Sequence, residues 1–90
     1  MSIYLNIMSN DQLLAKDRAN SLLTHQLEQM LLHKKYIDQS FEINNLLIEQ
    51  RIKRYADHPQ HYQCILRAYD PNDRLIQEIE RIIYIPEDEQ

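Results

Sequence analysis

The sequence predicts an α+β domain, in which a helical region is followed by a C-terminal β-hairpin. The first observation is a span from Asn10 to Asp57 that lacks glycine and proline and carries apolar residues at helical spacing. The second is an alternation of apolar and polar residues from Tyr62 to Tyr69, with the period of two that is typical of a half-buried strand. With 90 residues, the chain has the length of one domain. Within 1–90 we predict a helical region at 9–57, a hairpin at 60–86 and an acidic tail at 87–90.

The N-terminal boundary of the helical region has signals of its own. Ser9 and Gln12 have the spacing of a capping box, and Met8 and Leu13 flank them at the positions of a hydrophobic staple. These residues predict a helix that begins at Asn10. The preceding β-prone stretch, 2–7, is a candidate for a short strand that extends the sheet.

Two arrangements of the helical region remain open. A turn at Asp38–Ser40 would divide it into a helical hairpin, with Asp38 or Ser40 as an N-cap. Without that turn, one helix of about 70 Å would need a second chain to cover its apolar stripe. We favour the hairpin, because it lets the chain bury the stripe itself. The stripe comprises Leu23, Leu27, Met30, Ile37, Phe41, Ile48, Ile52 and Tyr55.

The C-terminal third also admits two structures. A turn at 70–73, with proline at its second position, would pair Ala68 with Leu75 and Cys64 with Ile79 in a hairpin. Alternatively, Asp70 as N-cap followed by proline would begin a helix over 71–84. We favour the hairpin, because the strand at 62–69 needs a neighbour.

Composition excludes several classes of site. Glycine is absent from the chain, whereas phosphate-binding loops and dinucleotide fingerprints need it where backbone approaches a ligand closely. The single cysteine, Cys64, cannot form an internal disulfide, and no signal peptide or long apolar run is recognisable. We therefore expect a cytoplasmic protein with no membrane span and no cofactor.

One cluster has the residue types of a metal site. His58, His61 and Cys64 are spaced in threes, and Asp57 or His33 would have to supply a fourth zinc ligand. However, His61 and Cys64 would point to opposite faces of a strand at 62–69, which prevents them from converging on one ion. No motif joins Cys64 to a histidine base either. We therefore predict neither a metal site nor catalysis, and a zinc-stabilised domain remains the second alternative.

The charge pattern bears on nucleic-acid binding. Residues 1–58 carry seven basic and seven acidic side chains, so that the net charge of −4 arises entirely within 59–90. Arg51, Lys53 and Arg54 would lie at the end of a helix, where they complement the helix dipole or contact DNA. A small dimeric DNA-binding regulator or antitoxin is therefore the first alternative function. The net negative charge makes nucleic acid the less favoured partner.

The leading prediction is a non-enzymatic protein-interaction module that self-associates through its helices. Its apolar side chains spread over more than one helix face, and leftover apolar surface rimmed by charge is the usual mark of an interface. In a narrower hypothesis, the acidic C-terminal third blocks a basic nucleic-acid-binding protein, as small inhibitors from mobile elements do. The predicted contact residues are Leu27, Leu31, Ile48, Ile52, Tyr55, Glu78, Glu80, Glu87 and Asp88.

Overall fold

The computed structural model describes residues 2–89, with side chains from Leu14 onwards. One helix packs on one face of a four-stranded antiparallel sheet, so the predicted α+β class is correct. The strands follow one another in the order β1-β2-β3-β4, each paired with its neighbour in sequence. The elements are α1 (Ser2–His33), β1 (Gln39–Ile43), β2 (Leu46–Arg54), β3 (His61–Tyr69), β4 (Leu75–Tyr84) and a 3₁₀ turn, η1 (Glu87–Glu89).

The N-terminal predictions were wrong. Helix α1 begins at Ser2, so residues 2–7 are helical and do not form a strand, and Asn10 lies inside the helix. The side chains of the predicted capping box, Ser9 and Gln12, lie outside the residues whose side chains the structure describes. Helix α1 is not long and apolar enough to cross a membrane over its described part.

Both predicted arrangements of 9–57 were also wrong, because the helix ends at His33 and a β-hairpin follows it. Ile48 and Ile52 explain the error. A separation of four residues puts two side chains on the same face of a helix and also of a strand, so this spacing does not distinguish the two structures. The hairpin turn at Asn44 and Asn45 has φ values of 52° and 66°. Two successive positive values indicate a type I′ turn, which asparagine can form without glycine.

The two C-terminal strands do pair, as half of the larger sheet, so the alternative of a helix over 71–84 is wrong. The observed register is two residues later than predicted: Ala68 pairs with Gln77 and Cys64 with Arg81. The turn is longer than a two-residue loop, because Asp70 Oδ1 accepts hydrogen bonds from the backbone N–H groups of Asn72 (2.8 Å) and Arg74 (2.9 Å). A bulge beside Ala68 and Tyr69 then shifts the pairing.

The core lies between α1 and one face of the sheet. Helix residues spaced by three or four form a single buried face, as an amphipathic helix requires. Alternate residues of the central strands meet that face, since successive side chains in a strand point to opposite sides. The buried apolar residues are Ala19, Leu23, Leu27, Met30, Ile48, Cys64, Leu66, Ala68, Ile83 and Ile85.

Gln50 ties the end of the helix to the sheet. Its side chain is fully buried in β2, and its Nε2 donates to the carbonyl oxygens of Ile37 (2.7 Å) and Lys35 (3.3 Å). Its Oε1 accepts a hydrogen bond from Gln26 of α1 at 3.2 Å. A buried amide with these partners fixes the chain direction after α1, since buried polar groups are costly when unpaired.

Candidate functional site

The surface with the strongest functional character is the face of the sheet opposite α1, which we call the open face. No element within residues 2–89 covers it. It follows from the alternation along β3: Cys64, Leu66 and Ala68 are buried under the helix, whereas Ile65 and Arg67 point the other way. By register, its central side chains are Leu47, Glu49, Arg51, Lys53, His61, Gln63, Ile65, Arg67, Tyr69, Glu78, Glu80, Ile82 and Tyr84.

The open face exposes large apolar and aromatic side chains. Leu47 on β2 is 41% exposed, and Ile82 and Tyr84 on β4 are 45% and 56% exposed. Ile65 and Tyr69 on the central strand β3 are half-buried by their neighbours. Several exposed apolar groups on one flat face are characteristic of interaction surfaces, whereas isolated ones are common on any protein.

A row of aromatic rings closes one end of the open face. Tyr55 stacks on His58, with ring centroids 5.7 Å apart and an interplanar angle of 10°. His58 meets His61 edge to face at 5.4 Å, and His61 meets Tyr84 at 5.6 Å. The backbone N–H of Tyr55 donates to the carbonyl of His61 at 2.9 Å, which extends the β2–β3 pairing to this row. Aromatic residues supply large contact areas at little entropic cost, so the row is a suitable anchor for a partner.

An ion-pair row crosses the middle of the open face. Arg67 on β3 lies between two carboxylates, with Glu49 of β2 at 3.2 Å and Glu78 of β4 at 3.1 Å. Hydrogen bonds to Glu78 and then to Glu49 raise the pKa of the Arg67 guanidinium. These three residues are cross-strand neighbours in one register row, so the alternation of charge is built into the pairing of the strands.

The next row toward the aromatic end has separated charges. Arg51 of β2 and Glu80 of β4 both pair in register with Ile65 of β3, one on each side. Arg51 contacts Glu49 at 3.4 Å and Asp38 at 3.9 Å on its own side of the sheet. Glu80 accepts a hydrogen bond from Gln63. On the β2 side of this row the cation is therefore already paired with two carboxylates, whereas on the β4 side Glu80 accepts from a neutral amide.

The predicted apolar contact residues are divided between the core and the surface. Leu27 and Ile48 lie in the core and Ile52 packs against it, so these side chains already contact the rest of the chain. Leu31 on α1 is 42% exposed, and the adjacent Leu32 is 71% exposed. Tyr55 belongs to the aromatic row of the open face. The spacing of the stripe identified apolar positions correctly, but it cannot tell a side chain that faces the sheet from one that faces a partner.

The predicted charged residues lie in three places. Glu78 and Glu80 are on the open face, whereas Glu87 and Asp88 are exposed on η1 beyond the end of β4. The predicted basic group is also divided. Arg51 and Lys53 lie on the open face of β2, and Arg54 pairs with Tyr62 on the covered side. The expectation that these three cations end a helix was wrong, because β2 is a strand.

The candidate zinc ligands do not converge. His61 lies on the open face, and Cys64 is buried under α1 with its Sγ 3.6 Å from the sulfur of Met30. Burial raises the pKa of the Cys64 thiol to about 11, so it is protonated at neutral pH. Within the described part of the chain, no group of three His, Cys, Asp or Glu side chains could hold a metal ion.

Comparisons with known proteins give no guide to function. No protein-family profile matches the sequence, and neither the curated proteins nor the solved structures gave a significant match. The surface itself is therefore the basis for a functional proposal. Leu47, Ile65, Ile82 and Tyr84 were not among the predicted contact residues. The alternation along β3 could have identified Ile65, since the same pattern that buries Cys64 and Leu66 turns it outward.

Proposed function

We propose that this protein is a non-catalytic protein-interaction module and that it binds its partner through the open face. One observation carries the proposal: an uncovered sheet face exposes Leu47, Ile82 and Tyr84, each by more than two-fifths of its surface. Burying such side chains stabilises a complex by about 25 cal/mol per Å² of apolar surface before the costs of association. The surrounding ion pairs supply the polar rim that protein interfaces have.

The charges of the open face favour a protein over a nucleic acid. The cations Arg51, Lys53 and Arg67 share this face with the carboxylates Glu49, Glu78 and Glu80, and Arg67 is already paired on both sides. Binding to a phosphate backbone rewards unpaired positive charge. Mixed charge around exposed apolar groups, by contrast, suits a protein surface with a complementary pattern.

A site-specific photo-crosslinker tests the proposal, because it captures whichever molecule occupies the open face. Benzoylphenylalanine would replace Tyr84 on the open face or, as a matched control, Leu32 on the outer side of α1. Leu32 is the more exposed of the two, at 71% against 56%. After irradiation in the native host, we expect the probe at position 84 to give discrete protein adducts and the probe at position 32 to give none above background.

Two results would contradict the proposal. Adducts at position 32 with none at position 84 would move the binding surface to α1. Nucleic-acid adducts at position 84 would replace the protein partner with the alternative of a nucleic-acid-binding protein. The mass of each adduct, measured after denaturation, distinguishes these outcomes and shows whether a second copy of the chain has been captured.

A further inference from the structure

We propose that the outer edge of β1 binds an extended segment of a partner protein, which joins the sheet as a fifth strand. Within residues 2–89, β1 pairs with β2 alone, so its other side is an edge of the sheet. The proposal goes beyond the proposed function, because it concerns a backbone edge and not the open face. In this mode of recognition, main-chain hydrogen bonds supply affinity and side-chain pockets beside the edge supply selectivity.

The direction of the backbone groups in β2 determines which groups of β1 are left over. The backbone N–H of Ile52 points toward β1, where Asp38 Oδ1 accepts its hydrogen bond at 2.8 Å. The backbone N–H of Tyr55, just beyond β2, points the other way and donates to the carbonyl oxygen of His61 in β3. Because these directions alternate along an antiparallel strand, the even-numbered residues of β2 face β1 and the odd-numbered residues face β3.

Ser40 and Glu42 therefore carry the outward backbone groups of β1. In the register of the hairpin, Gln39 and Phe41 pair with even-numbered residues of β2, and these pairs exchange hydrogen bonds. The N–H and C=O groups of Ser40 and Glu42 then point away from β2. Each of these two residues offers one donor and one acceptor, at the two-residue spacing that an extended chain satisfies.

The two edges of the sheet differ in their protection against strand addition. Strand β4 carries three charged residues, Glu78, Glu80 and Arg81, and charged side chains are a common protection of edge strands. Strand β1 carries one charged residue, Glu42, and has neither proline nor lysine. Its five residues are long enough to pair with a short strand. The β1 edge is therefore the one that suits an added strand.

A groove on the helix side of the β1 edge gives the added strand a place for its side chains. Helix α1 packs mainly on β3 and β4, which leaves space between the helix and β1. A cavity of about 330 Å³ lies there, and its lining includes Met30 and His33 of α1, Lys35 of the α1–β1 connection, and Gln39 and Phe41 of β1. Every second side chain of a strand added to β1 would lie on this side of the sheet.

The side chains on the two sides of the edge define the segment that fits. We consider antiparallel pairing, which every other strand pair of this sheet adopts. The residue opposite Phe41 lies on the helix side, where an apolar side chain packs against the phenylalanine ring. The residue opposite Gln39 lies on the same side next to Lys35, which favours a carboxylate. On the other side of the sheet, the residue opposite Glu42 is favoured as a cation.

These preferences give an ordered pattern. Because an antiparallel partner runs from Glu42 toward Gln39, the segment reads, from its N-terminus, a basic residue, an apolar residue, any strand-forming residue and an acidic residue. The basic residue and the third residue exchange hydrogen bonds with Glu42 and Ser40. The amide of the apolar residue, opposite Phe41, points away from β1.

A second copy of the chain is a poorer occupant of this edge. Pairing of β1 with itself, centred on Phe41, opposes no like charges, but it joins two sheets along five residues only. With a rise of about 3.3 Å per residue and a sheet thickness of about 10 Å, the contact covers about 170 Å² per copy, or about 340 Å² in total. Specific interfaces between folded proteins need roughly 1,000 Å². A flexible segment can follow the edge and also place side chains in the groove.

Selection from a random dodecapeptide library displayed on phage tests the proposal, because it needs no knowledge of the natural partner. We expect the wild-type chain to enrich peptides with the basic–apolar–x–acidic pattern. Ser40→Pro removes an outward N–H without breaking a hydrogen bond to β2, as proline does on edge strands. We expect this variant to bind the enriched peptide about tenfold or more weakly by fluorescence anisotropy. Ser40→Ala keeps the N–H and is the matched control, with an affinity within about twofold of the wild type.

A matched pair of peptides keeps the proposal testable if Ser40→Pro fails to fold. N-methylation of the third residue of the pattern blocks the amide that donates to the carbonyl oxygen of Ser40, and we expect about tenfold weaker binding. N-methylation of the apolar residue changes an amide that points to solvent, and we expect the affinity to be retained. Equal losses for the two peptides would overturn the proposal.

Charge exchange tests the predicted order of the segment. With Lys35→Glu, we expect the selection to replace the acidic residue of the pattern with a basic one, whereas Lys53→Glu, the same change on the open face, should leave the pattern unaltered. Three results would overturn the proposal: no enriched peptide, peptides that bind Ser40→Pro as tightly as the wild type, or a chain whose own dimer is lost in Ser40→Pro. The photo-probe at position 84 should give the same adducts in Ser40→Pro, so failure at this edge is distinguishable from failure of the open face.

Discussion

The two faces of β3 differ in what covers them. On one face, Cys64, Leu66 and Ala68 are fully buried under α1, so that all their contacts lie within the chain. On the other, Ile65 and Tyr69 are half-buried by neighbouring strands, and no element within residues 2–89 lies over them. Both sets of side chains belong to one strand, so they differ only in what covers them. The comparison shows that an apolar residue on the helix side is buried completely by folding, whereas one on the open side is buried only in part and keeps surface that a partner could cover.

Truncation of the core face should have the largest effect on stability. Leu66→Ala leaves a cavity beneath α1, and substitutions of this kind cost about 2–5 kcal/mol. Ile65→Ala is the matched change on the open face. We expect it to lower the free energy of unfolding by less than about 1 kcal/mol, because Ile65 is only half-buried and its truncation removes fewer contacts. Urea denaturation, monitored by circular dichroism, measures the loss in free energy of unfolding for both variants. Equal losses would show that the two faces do not differ in the isolated chain.

Removal of the buried amide should have the next largest effect. Gln50→Leu leaves the part-buried carbonyl oxygens of Ile37 and Lys35 without this donor, and we expect a loss of about 1–3 kcal/mol in all. Gln63→Leu removes a comparable amide from the open face, where the exposed Glu80 carboxylate can accept a hydrogen bond from water instead. We expect the second change to shift the urea midpoint much less than the first. A Gln50→Leu variant as stable as the wild type would show that the amide does not anchor the end of α1.

The buried thiol gives the covered face a distinct response to alkali. In the unfolded chain the pKa of the thiol is about 8.5, within about half a unit, as it is for free cysteine. In the fold its pKa is about 11. Between these values the folded state keeps a proton that the unfolded state releases, so stability falls as pH rises through this range and is unaffected below it. Cys64→Ala should show a smaller loss over the same range in urea titrations. Identical pH profiles of stability for the wild type and Cys64→Ala would contradict the assignment of this loss to the buried thiol.

The smallest predicted effect is at the loop that carries the aromatic row. Ala56 has φ of 48°, a left-handed conformation that costs about 1–2 kcal/mol for a residue with a Cβ. Ala56→Gly relieves this strain but adds about 0.4–1 kcal/mol of chain entropy in the unfolded state. We expect a net gain of about 0.5–1 kcal/mol in the free energy of unfolding, measured by thermal unfolding. A destabilised variant would show that the conformation of Ala56 is not strained.

Part of this structure was predictable from local patterns. The alternation from Tyr62 to Ala68 identified a strand and its buried face correctly, because a period of two has no helical counterpart over that length. The turn at Asp70 was recognised from its residue types, although the bulge that shifts the register has no signal in the sequence. Leu23, Leu27 and Met30 were correctly placed on one helix face.

Other features could not be predicted for physical reasons. Ile48 and Ile52 are four apart, which fits a helix and a strand equally, and the Asn44–Asn45 turn lacks the glycine that usually marks a type I′ hairpin. The exposure of Ile82 and Tyr84 depends on which face α1 covers. A sequence pattern gives the two faces of a strand, but it does not say which of them the rest of the chain leaves uncovered.

The most direct test of the open face as the binding surface is carbene footprinting of the full chain, alone and after addition of an extract of its native host. Labelling of Leu47, Ile82 and Tyr84 should fall as the protein associates, while labelling of Leu31 and Leu32 on α1 should stay constant. This result would place the interface on the open face. A fall in labelling on α1, with the sheet residues unchanged, would contradict it and return the interface to the helix.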